Sequence, residues 1–150
     1  MHKINAGWVW AIAVTPDGTQ IVSCGEDKTA VWDLASGRLE RTIEENGFAW
    51  RVAVTPDGSR IVSGGGLFGA GDHPVKVWDL ASGRLEHTLK GHTNHVWAVA
   101  VTPDSSQIVS GGEDGTVRVW GPCAATLIPP FRLRGPLRQW PGRLPLGCDT

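Results

Sequence analysis

The hydrophobic positions of this 150-residue chain fall into short runs separated by turn residues. Each run is rich in Val, Ile and Trp and is bounded by Pro, Gly or Asp, which is the pattern of strands and turns. The most regular stretch extends from Gly91 to Trp120 and contains three such runs, at Val96–Val101, Gln107–Ser110 and Thr116–Trp120. We therefore expect three strands joined by tight turns in this stretch, and an all-β chain.

The first run of this unit is apolar at nearly every position, as are the equivalent runs Val9–Val14 and Ala49–Val54. A strand with one face in water alternates apolar and polar residues. A continuous apolar run instead predicts that both faces of the strand are covered. We therefore expect these three strands to be packed between neighbouring layers.

The unit is repeated along the chain. The tripeptide Thr-Pro-Asp occurs at residues 15–17, 55–57 and 102–104, and the decapeptide VWDLASGRLE at residues 31–40 recurs letter for letter at 77–86. Repetition at a fixed period indicates one supersecondary unit that is copied along the chain.

A tryptophan closes each copy, and the three lie 46 and then 42 positions apart, at Trp32, Trp78 and Trp120. A period in the forties, with Gly91-His92 early in the unit and Trp-Asp late, resembles the WD-repeat family of β-propellers. The resemblance covers residues 4–121, roughly four-fifths of the chain. It implies a β-propeller of about three four-stranded blades, an incomplete ring, because closed propellers use about 4 to 8 blades.

The resemblance divides the chain into blades at residues 4–43, 44–89 and 90–121, the last without its outer strand. Residues 122–150 do not follow the repeat and hold six of the ten Pro and four Arg, so we expect a disordered tail. Such a tail suits acidic partners or a polyproline II conformation, or it has no role.

A frameshift is our hypothesis for the break after Trp120. The expected Asp-Leu-Ala is replaced there by Gly121-Pro122-Cys123. A single inserted G changes the codons GAC CTT GCG into GGA CCT TGC, which encode Gly-Pro-Cys. This supports the alternative interpretation that the chain is a truncated or frameshifted fragment of a larger WD-repeat protein, without independent activity.

The third copy contains the residue types of a Ser-His-Asp catalytic triad, at Ser110, His92 and Asp114. The resemblance implies instead that they form a structural hydrogen-bond network with Trp120. A triad also needs an exposed nucleophile and an oxyanion hole, which the sequence does not supply, so we expect no catalytic residues and no enzyme. The other copies keep only part of the network, which predicts weaker blades, at Ser23, Asp27 and Trp32 and at Ser63, Asp72 and Trp78.

The first copy is one residue shorter than the third between the turn aspartate and the tryptophan, from Asp27 to Trp32 against Asp114 to Trp120. A one-residue slip exchanges the faces of a strand. We therefore expect the third strand of the first copy to slip or to lose a pair.

Three sets of equivalent positions are candidates for partner binding, because the resemblance places them at the mouth of the central channel. Tryptophan is enriched in interface hot spots. The alternative is that these aromatic residues pack between blades. The sets are Trp8, Phe48 and His95; Trp10, Trp50 and Trp97; and Glu26 and Glu113.

Composition excludes several functions. The formal net charge of −1 gives no global field for nucleic acid or membrane. Two histidines in the pattern His92-x-x-His95, without nearby Cys or acid, are too few for a zinc site, so we expect no metal and no cofactor. Three Cys without C-x-x-C spacing, and no secretory signal, favour a reducing, cytoplasmic compartment.

The sequence thus favours a non-enzymatic scaffold that binds a protein or peptide at the channel mouth. We expect no nucleic-acid or membrane partner, and self-association is a further expectation, because it would complete the ring. The sequence does not name the partner.

Overall fold

The computed structural model describes residues 3–26, 28–44, 47–66 and 73–121. All the regular elements in this part are β-strands, and no helix in it is long and apolar enough to cross a membrane. The strands are β1 (Val9–Val14), β2 (Gln20–Gly25), β3 (Thr29–Asp33), β4 (Leu39–Ile43), β5 (Phe48–Val54), β6 (Arg60–Gly66), β7 (Val75–Asp79), β8 (Leu85–Leu89), β9 (Val96–Val101), β10 (Ile108–Gly112) and β11 (Val117–Trp120).

The strands form three antiparallel sheets, each made from consecutive strands. The first sheet has the order β1-β2-β3-β4 and the second β5-β6-β7-β8, while the described part of the third is β9-β10-β11. This arrangement is that of propeller blades in an open ring. The all-β propeller fold expected from the repeat is therefore confirmed.

The Thr-Pro-Asp turns join the first and second strand of each sheet. In the first sheet the Gly18 N–H donates to the Thr15 carbonyl at 2.8 Å, while the Asp17 carboxylate accepts from the Thr15 hydroxyl at 2.6 Å. Proline at the second turn position presets the required φ, and Gly18 adopts a φ of 73°. Ser105 takes the glycine position in the third sheet at a φ of 58°.

The register between second and third strands is the same in all three sheets. Trp32 lies opposite Ile21, Trp78 opposite Ile61, and Trp120 opposite Ile108. The predicted slip in the third strand of the first copy is therefore wrong. The missing residue is absorbed in the connection between β2 and β3, because keeping the register keeps the apolar faces in place.

The sheets stack side by side, and their first strands lie innermost, since β1 contacts β5 and β5 contacts β9. One core cluster fills the space between the first and second sheets and includes Val22, Val31 and Ile61. A second cluster, between the second and third sheets, includes Val62 and Val77. The second sheet therefore buries both faces, and every residue of β6 is buried.

The prediction that both faces of all three first strands are covered is wrong for the two flanking sheets. In β1, Ile12 is 63% exposed and Val14 is 51% exposed. Val52 of β5, which is equivalent to Ile12, is only 9% exposed. In β9, Ala98 and Ala100 are exposed. The reason is that, within the described residues, each flanking sheet has a neighbouring sheet on one side only.

Candidate functional site

A β-bulge interrupts the first strand of each sheet at its tryptophan. Across the β1–β2 pair, Val9 lies opposite Gly25 and Ala11 opposite Cys24, which leaves Trp10 as the extra residue. Trp50 and Trp97 are the skipped residues of the same bulge in β5 and β9. A bulge re-aims the side chain at that position. At each bulge the tryptophan side chain therefore departs from the alternation of side chains between the two faces of its strand. All three bulges lie at the same end of the stacked sheets.

Glycine at a fixed position allows the backbone approach that accompanies these bulges. A Cβ on Gly25 would overlap the Trp8 carbonyl oxygen, and a Cβ on Gly65 would overlap the Phe48 carbonyl oxygen. These glycines were not singled out from the sequence. The signal that reveals them is a Ser-x-Gly pattern repeated in every copy, with glycine at residues 25, 65 and 112.

The three bulge tryptophans form one aromatic cluster. The rings of Trp50 and Trp97 stack with centroids 4.8 Å apart and planes 27° apart. Trp10 meets Trp50 edge-on, with centroids 6.2 Å apart and planes 76° apart. Offset stacks and edge contacts are the arrangements that aromatic pairs prefer. The cluster is thus continuous across all three sheets.

The candidate positions Trp8, Phe48 and His95 do not all lie at the cluster. Phe48 lies 5.9 Å from Trp10 between ring centroids, and His95 lies 4.4 Å from Trp50. Trp8 is 75% exposed and makes no ring contact within the described part of the chain. The structure therefore brings Phe48 and His95 to the tryptophans and leaves Trp8 outside.

The cluster borders an open groove of about 480 Å³ at the inner end of the sheets. We call it the tryptophan groove; its lining residues are Val9, Trp10, Trp50, Arg51 and Trp97. Trp10 is 36% exposed and Trp97 is 47% exposed, so large indole faces are open to a ligand. The Arg51 guanidinium donates through Nη1 to the Trp50 carbonyl at 2.7 Å.

The two candidate acids lie near the same end of the sheets. Glu26 directly follows Gly25, which is paired with Val9 of the groove. The Glu113 N–H donates to the carbonyl of His95 at 2.8 Å, and the His95 ring lies tilted against Trp50. Both acids are exposed. The groove thus has an apolar lining with one cation, Arg51, and two exposed acids follow strand ends on the same side of the sheets.

The residues of the third copy that resemble a triad form one hydrogen-bonded chain. The Trp120 Nε1–H donates to Ser110 Oγ at 2.8 Å, and Ser110 Oγ lies 2.7 Å from His92 Nε2. His92 Nδ1 lies 2.9 Å from the Asp114 carboxylate. The Asp114 carboxylate can only accept, so His92 Nδ1–H donates to it. His92 Nε2 then accepts from the Ser110 hydroxyl, whose oxygen accepts from the Trp120 indole.

This chain of hydrogen bonds has no access to a substrate. Ser110 is 1% exposed and His92 is 3% exposed. The serine oxygen lies between an indole and an imidazole, so it is not presented as a nucleophile. The arrangement therefore joins the loop before β9 to β10 and β11. Within the described residues, no group of three or more His, Cys, Asp or Glu is placed to hold a metal ion.

The sequence comparisons agree with this architecture. The family described as WD domain, G-beta repeat matches residues 2–33 and 83–121. These two matches support the WD-repeat family for this chain. Propellers of this family are typically non-enzymatic and generally mediate protein–protein interactions.

A solved WD-repeat structure gives the same fold. The crystal structure of RRP9 WD40 repeats superimposes with a TM-score of 0.71 at 24% sequence identity, over 79% of this chain. The matched region spans 37% of that longer chain, and the likeness shows the fold alone. No curated protein matches the sequence significantly.

The first and second WD repeats contain a shorter form of the network. Trp32 Nε1–H donates to Ser23 Oγ at 2.8 Å, and Trp78 Nε1–H donates to Ser63 Oγ at 3.0 Å. Asp27 and Asp72, which were assigned to the same networks, lie outside the described residues. The tryptophan–serine hydrogen bond is therefore the part that all three repeats share.

Hydrogen bonding also lowers the pKa of Asp114, the turn aspartate of the third repeat. The Thr116 hydroxyl donates to Asp114 at 2.7 Å, and the Thr116 N–H donates at 3.0 Å. Together with the bond from His92, these donors hold the pKa of Asp114 well below its usual range. Asp114 is thus ionised at neutral pH and accepts hydrogen bonds from Thr116, just before β11, and from His92, in the loop before β9.

Proposed function

We propose that this chain is a non-enzymatic scaffold that binds a protein or peptide partner in the tryptophan groove at the channel mouth. WD-repeat propellers generally mediate protein–protein interactions. The observation that carries the proposal is the convergence of Trp10, Trp50 and Trp97 on one open groove through three equivalent bulges. Tryptophan contributes strongly to interfaces because it covers a large area with few rotatable bonds.

The groove has the size and chemistry of a binding site. Its volume of about 480 Å³ lies within the usual range of ligand pockets. Its lining is apolar apart from Arg51. Aromatic rings that only packed between blades would be covered, whereas Trp50 is only half-buried although its sheet has neighbours on both sides. Both features support contact with a partner rather than a purely structural role.

A peptide library selected on the purified full chain tests this function. We expect peptides whose affinity falls about tenfold or more for Trp50→Ala or Trp97→Ala, since hot-spot tryptophans contribute 2 kcal/mol or more. Trp8→Ala is the matched control, because Trp8 is exposed but lies outside the groove. Failure to select any binder, or binders that are insensitive to both groove variants, would contradict the proposal.

Bare apolar faces favour a second candidate, in which the chain is a fragment of a larger WD-repeat protein or completes a ring by self-association. Ile12, Val14 and Val117 are 63%, 51% and 73% exposed on the two flanking sheets. Such surfaces promote association. Light scattering of the purified chain separates the outcomes: a discrete dimer supports ring completion, and heterogeneous aggregates support the fragment.

We place this function in the cytoplasm. The support is compositional: three Cys without C-x-x-C spacing. The redox state of the three Cys tests the assignment. Cells that express the protein are lysed directly into denaturant with a thiol reagent and no reductant, and the labelled Cys are counted. Complete labelling of the three Cys supports the assignment, and blocked thiols contradict it.

A further inference from the structure

The polar groups that line the tryptophan groove are hydrogen-bond donors. The indole N–H groups of Trp10, Trp50 and Trp97 have no acceptor among the described residues, in contrast to those of the three buried tryptophans, which donate to serine. The remaining polar side chain in the lining is the Arg51 guanidinium, which has donors and no acceptor. The groove therefore suits a ligand that offers acceptors.

Proline-rich segments have this chemistry. Proline has no backbone N–H, and a polyproline II helix leaves its carbonyl groups without internal hydrogen bonds. Its rings pack against aromatic grooves, and the helix loses little entropy on binding. An apolar wall of contacting indoles whose N–H groups lack acceptors within the described chain is complementary to such a segment. A regular β-strand also brings N–H donors, for which this lining provides no side-chain acceptor.

We infer that the tryptophan groove binds a proline-rich segment, and that its occupant is this chain's own segment 127–134, Leu-Ile-Pro-Pro-Phe-Arg-Leu-Arg. The inference rests on the proposed function, since it assigns the ligand class of the same groove. Pro129 and Pro130 supply the rings and carbonyls. The segment lies outside the described residues and is known here by its sequence alone.

The segment is long enough to reach the groove. The described chain ends at Gly121, just after β11, at the end of the third sheet opposite to Trp97. The six residues of β9 span about 20 Å at the rise of a strand. The eight residues from Gly121 to Pro129 cover about 25 Å at the polyproline rise of about 3.1 Å per residue. A path along the outside of one sheet is therefore within reach.

Charge favours the same occupant. Arg132 and Arg134 directly follow the two prolines, and the segment contains no acidic residue. The exposed acids Glu26 and Glu113 lie near the rim of the groove. The segment thus presents cations next to its apolar part, at the end of the sheets that carries these two carboxylates beside the single cation of the lining, Arg51. Because these groups are exposed, the attraction steers the segment rather than dominating its affinity.

Limited trypsin digestion of the full chain tests the inference, because the segment contains its own cleavage sites. We expect cleavage after Arg132 and Arg134 to be at least about fivefold slower than after Arg138 and Arg143, which lie beyond the segment. Trp97→Ala, and separately Pro129→Ala with Pro130→Ala, should abolish the difference, while Trp8→Ala should leave it unchanged. Equal cleavage at all four arginines in the unmodified chain would overturn the inference.

A fluorescein-labelled peptide of residues 125–136 supplies the second measurement. Added to the full chain carrying Pro129→Ala and Pro130→Ala, it should bind saturably, and it should lose about tenfold or more in affinity when Trp97→Ala is added. Binding of an unrelated proline-rich peptide without binding of this one would overturn the assignment of the occupant. Selecting the peptide library on this Pro129→Ala, Pro130→Ala chain as well keeps the two failures apart, because its groove is free of the chain's own segment. Library peptides that need Trp50 would then leave the proposed function standing, and their absence from both selections would remove both.

Discussion

Trp50 and Trp78 belong to the same sheet and have opposite environments. Trp78 is 4% exposed, packs into the first core cluster and donates its indole N–H to Ser63. Trp50 stands on a bulge, stacks on Trp97 and has no hydrogen-bond acceptor for its N–H within the described chain. The residue type is identical, so the backbone decides the role: regular pairing with β6 turns one ring into the core, and the bulge between β5 and β6 turns the other towards the groove.

The comparison holds in every repeat. The core set, Trp32, Trp78 and Trp120, keeps the same register and the same bond to serine. The groove set, Trp10, Trp50 and Trp97, shares the bulge. Repetition of both environments accounts for six of the eight tryptophans in this chain of 150 residues, which has no tyrosine. One set stabilises the blades and the other supplies the surface.

The largest expected effect separates the two sets directly. Trp78→Ala should lower the free energy of unfolding by about 3–5 kcal/mol, because it removes a buried ring and leaves a cavity. Trp10→Ala should change it by less than about 1 kcal/mol, since surface substitutions cost little. Urea unfolding monitored by circular dichroism measures both. Equal losses would contradict the distinction between the sets.

Gly65→Ala tests whether the bulge gives Trp50 its position. The added Cβ would overlap the Phe48 carbonyl oxygen, so the strand must move, at a cost of roughly 2 kcal/mol or more. Gly111→Ala is the matched control, because its Cβ would meet no atom within 4 Å. Thermal unfolding gives the stabilities, and peptide affinity reports the groove. An unperturbed Gly65→Ala variant would show that the close approach is unnecessary.

Ser110→Ala tests the network of the third repeat. The change leaves the Trp120 N–H and His92 Nε2 without their partner, at about 1–3 kcal/mol in the free energy of unfolding. The peptide affinity of the groove should stay within about twofold, because Ser110 lies outside its lining. A double-mutant cycle with Trp120→Phe isolates the shared bond. A coupling energy of zero would show that the bond does not stabilise the sheet.

The smallest expected effect is on the pH dependence of unfolding. The pKa of Asp114 is lowered in the folded chain, chiefly by the Thr116 hydroxyl, so its stabilisation is present above the ordinary carboxyl pKa of about 4 and is lost as the pH falls further. The unfolding temperature should therefore drop on acidification below about pH 4. Asp114→Asn should flatten this drop relative to Glu113→Gln. Parallel pH profiles of the two variants would contradict the assignment.

The strands and the repeated architecture could be predicted because apolar runs and turn residues are local signals. Val9–Val14 and Val96–Val101 form strands with the expected bounds. The tryptophan spacing also identified the blade unit. The exposure of Ile12 could not be predicted, since it depends on whether a neighbouring sheet covers β1 rather than on the residues of β1 itself.

The candidate site was predictable only in part. The sequence selected Trp10, Trp50 and Trp97 as equivalent, but not the bulges that bring them together, because their signal is a glycine on the partner strand. The predicted slip failed because the paired apolar residues of β2 and β3 keep their register, so the length difference falls between the two strands. Trp8 was grouped with Phe48 and His95 by position alone, and the structure separates them.

Hydrogen exchange of the indole N–H groups, followed by NMR, tests the account most directly. We expect the N–H signals of Trp32, Trp78 and Trp120 to exchange only at the rate of global unfolding, since each is buried and bonded to serine. Those of Trp10, Trp50 and Trp97 should exchange through local opening, at least about a hundredfold faster. Indistinguishable protection of all six signals would contradict the division of the tryptophans into a core set and a groove set.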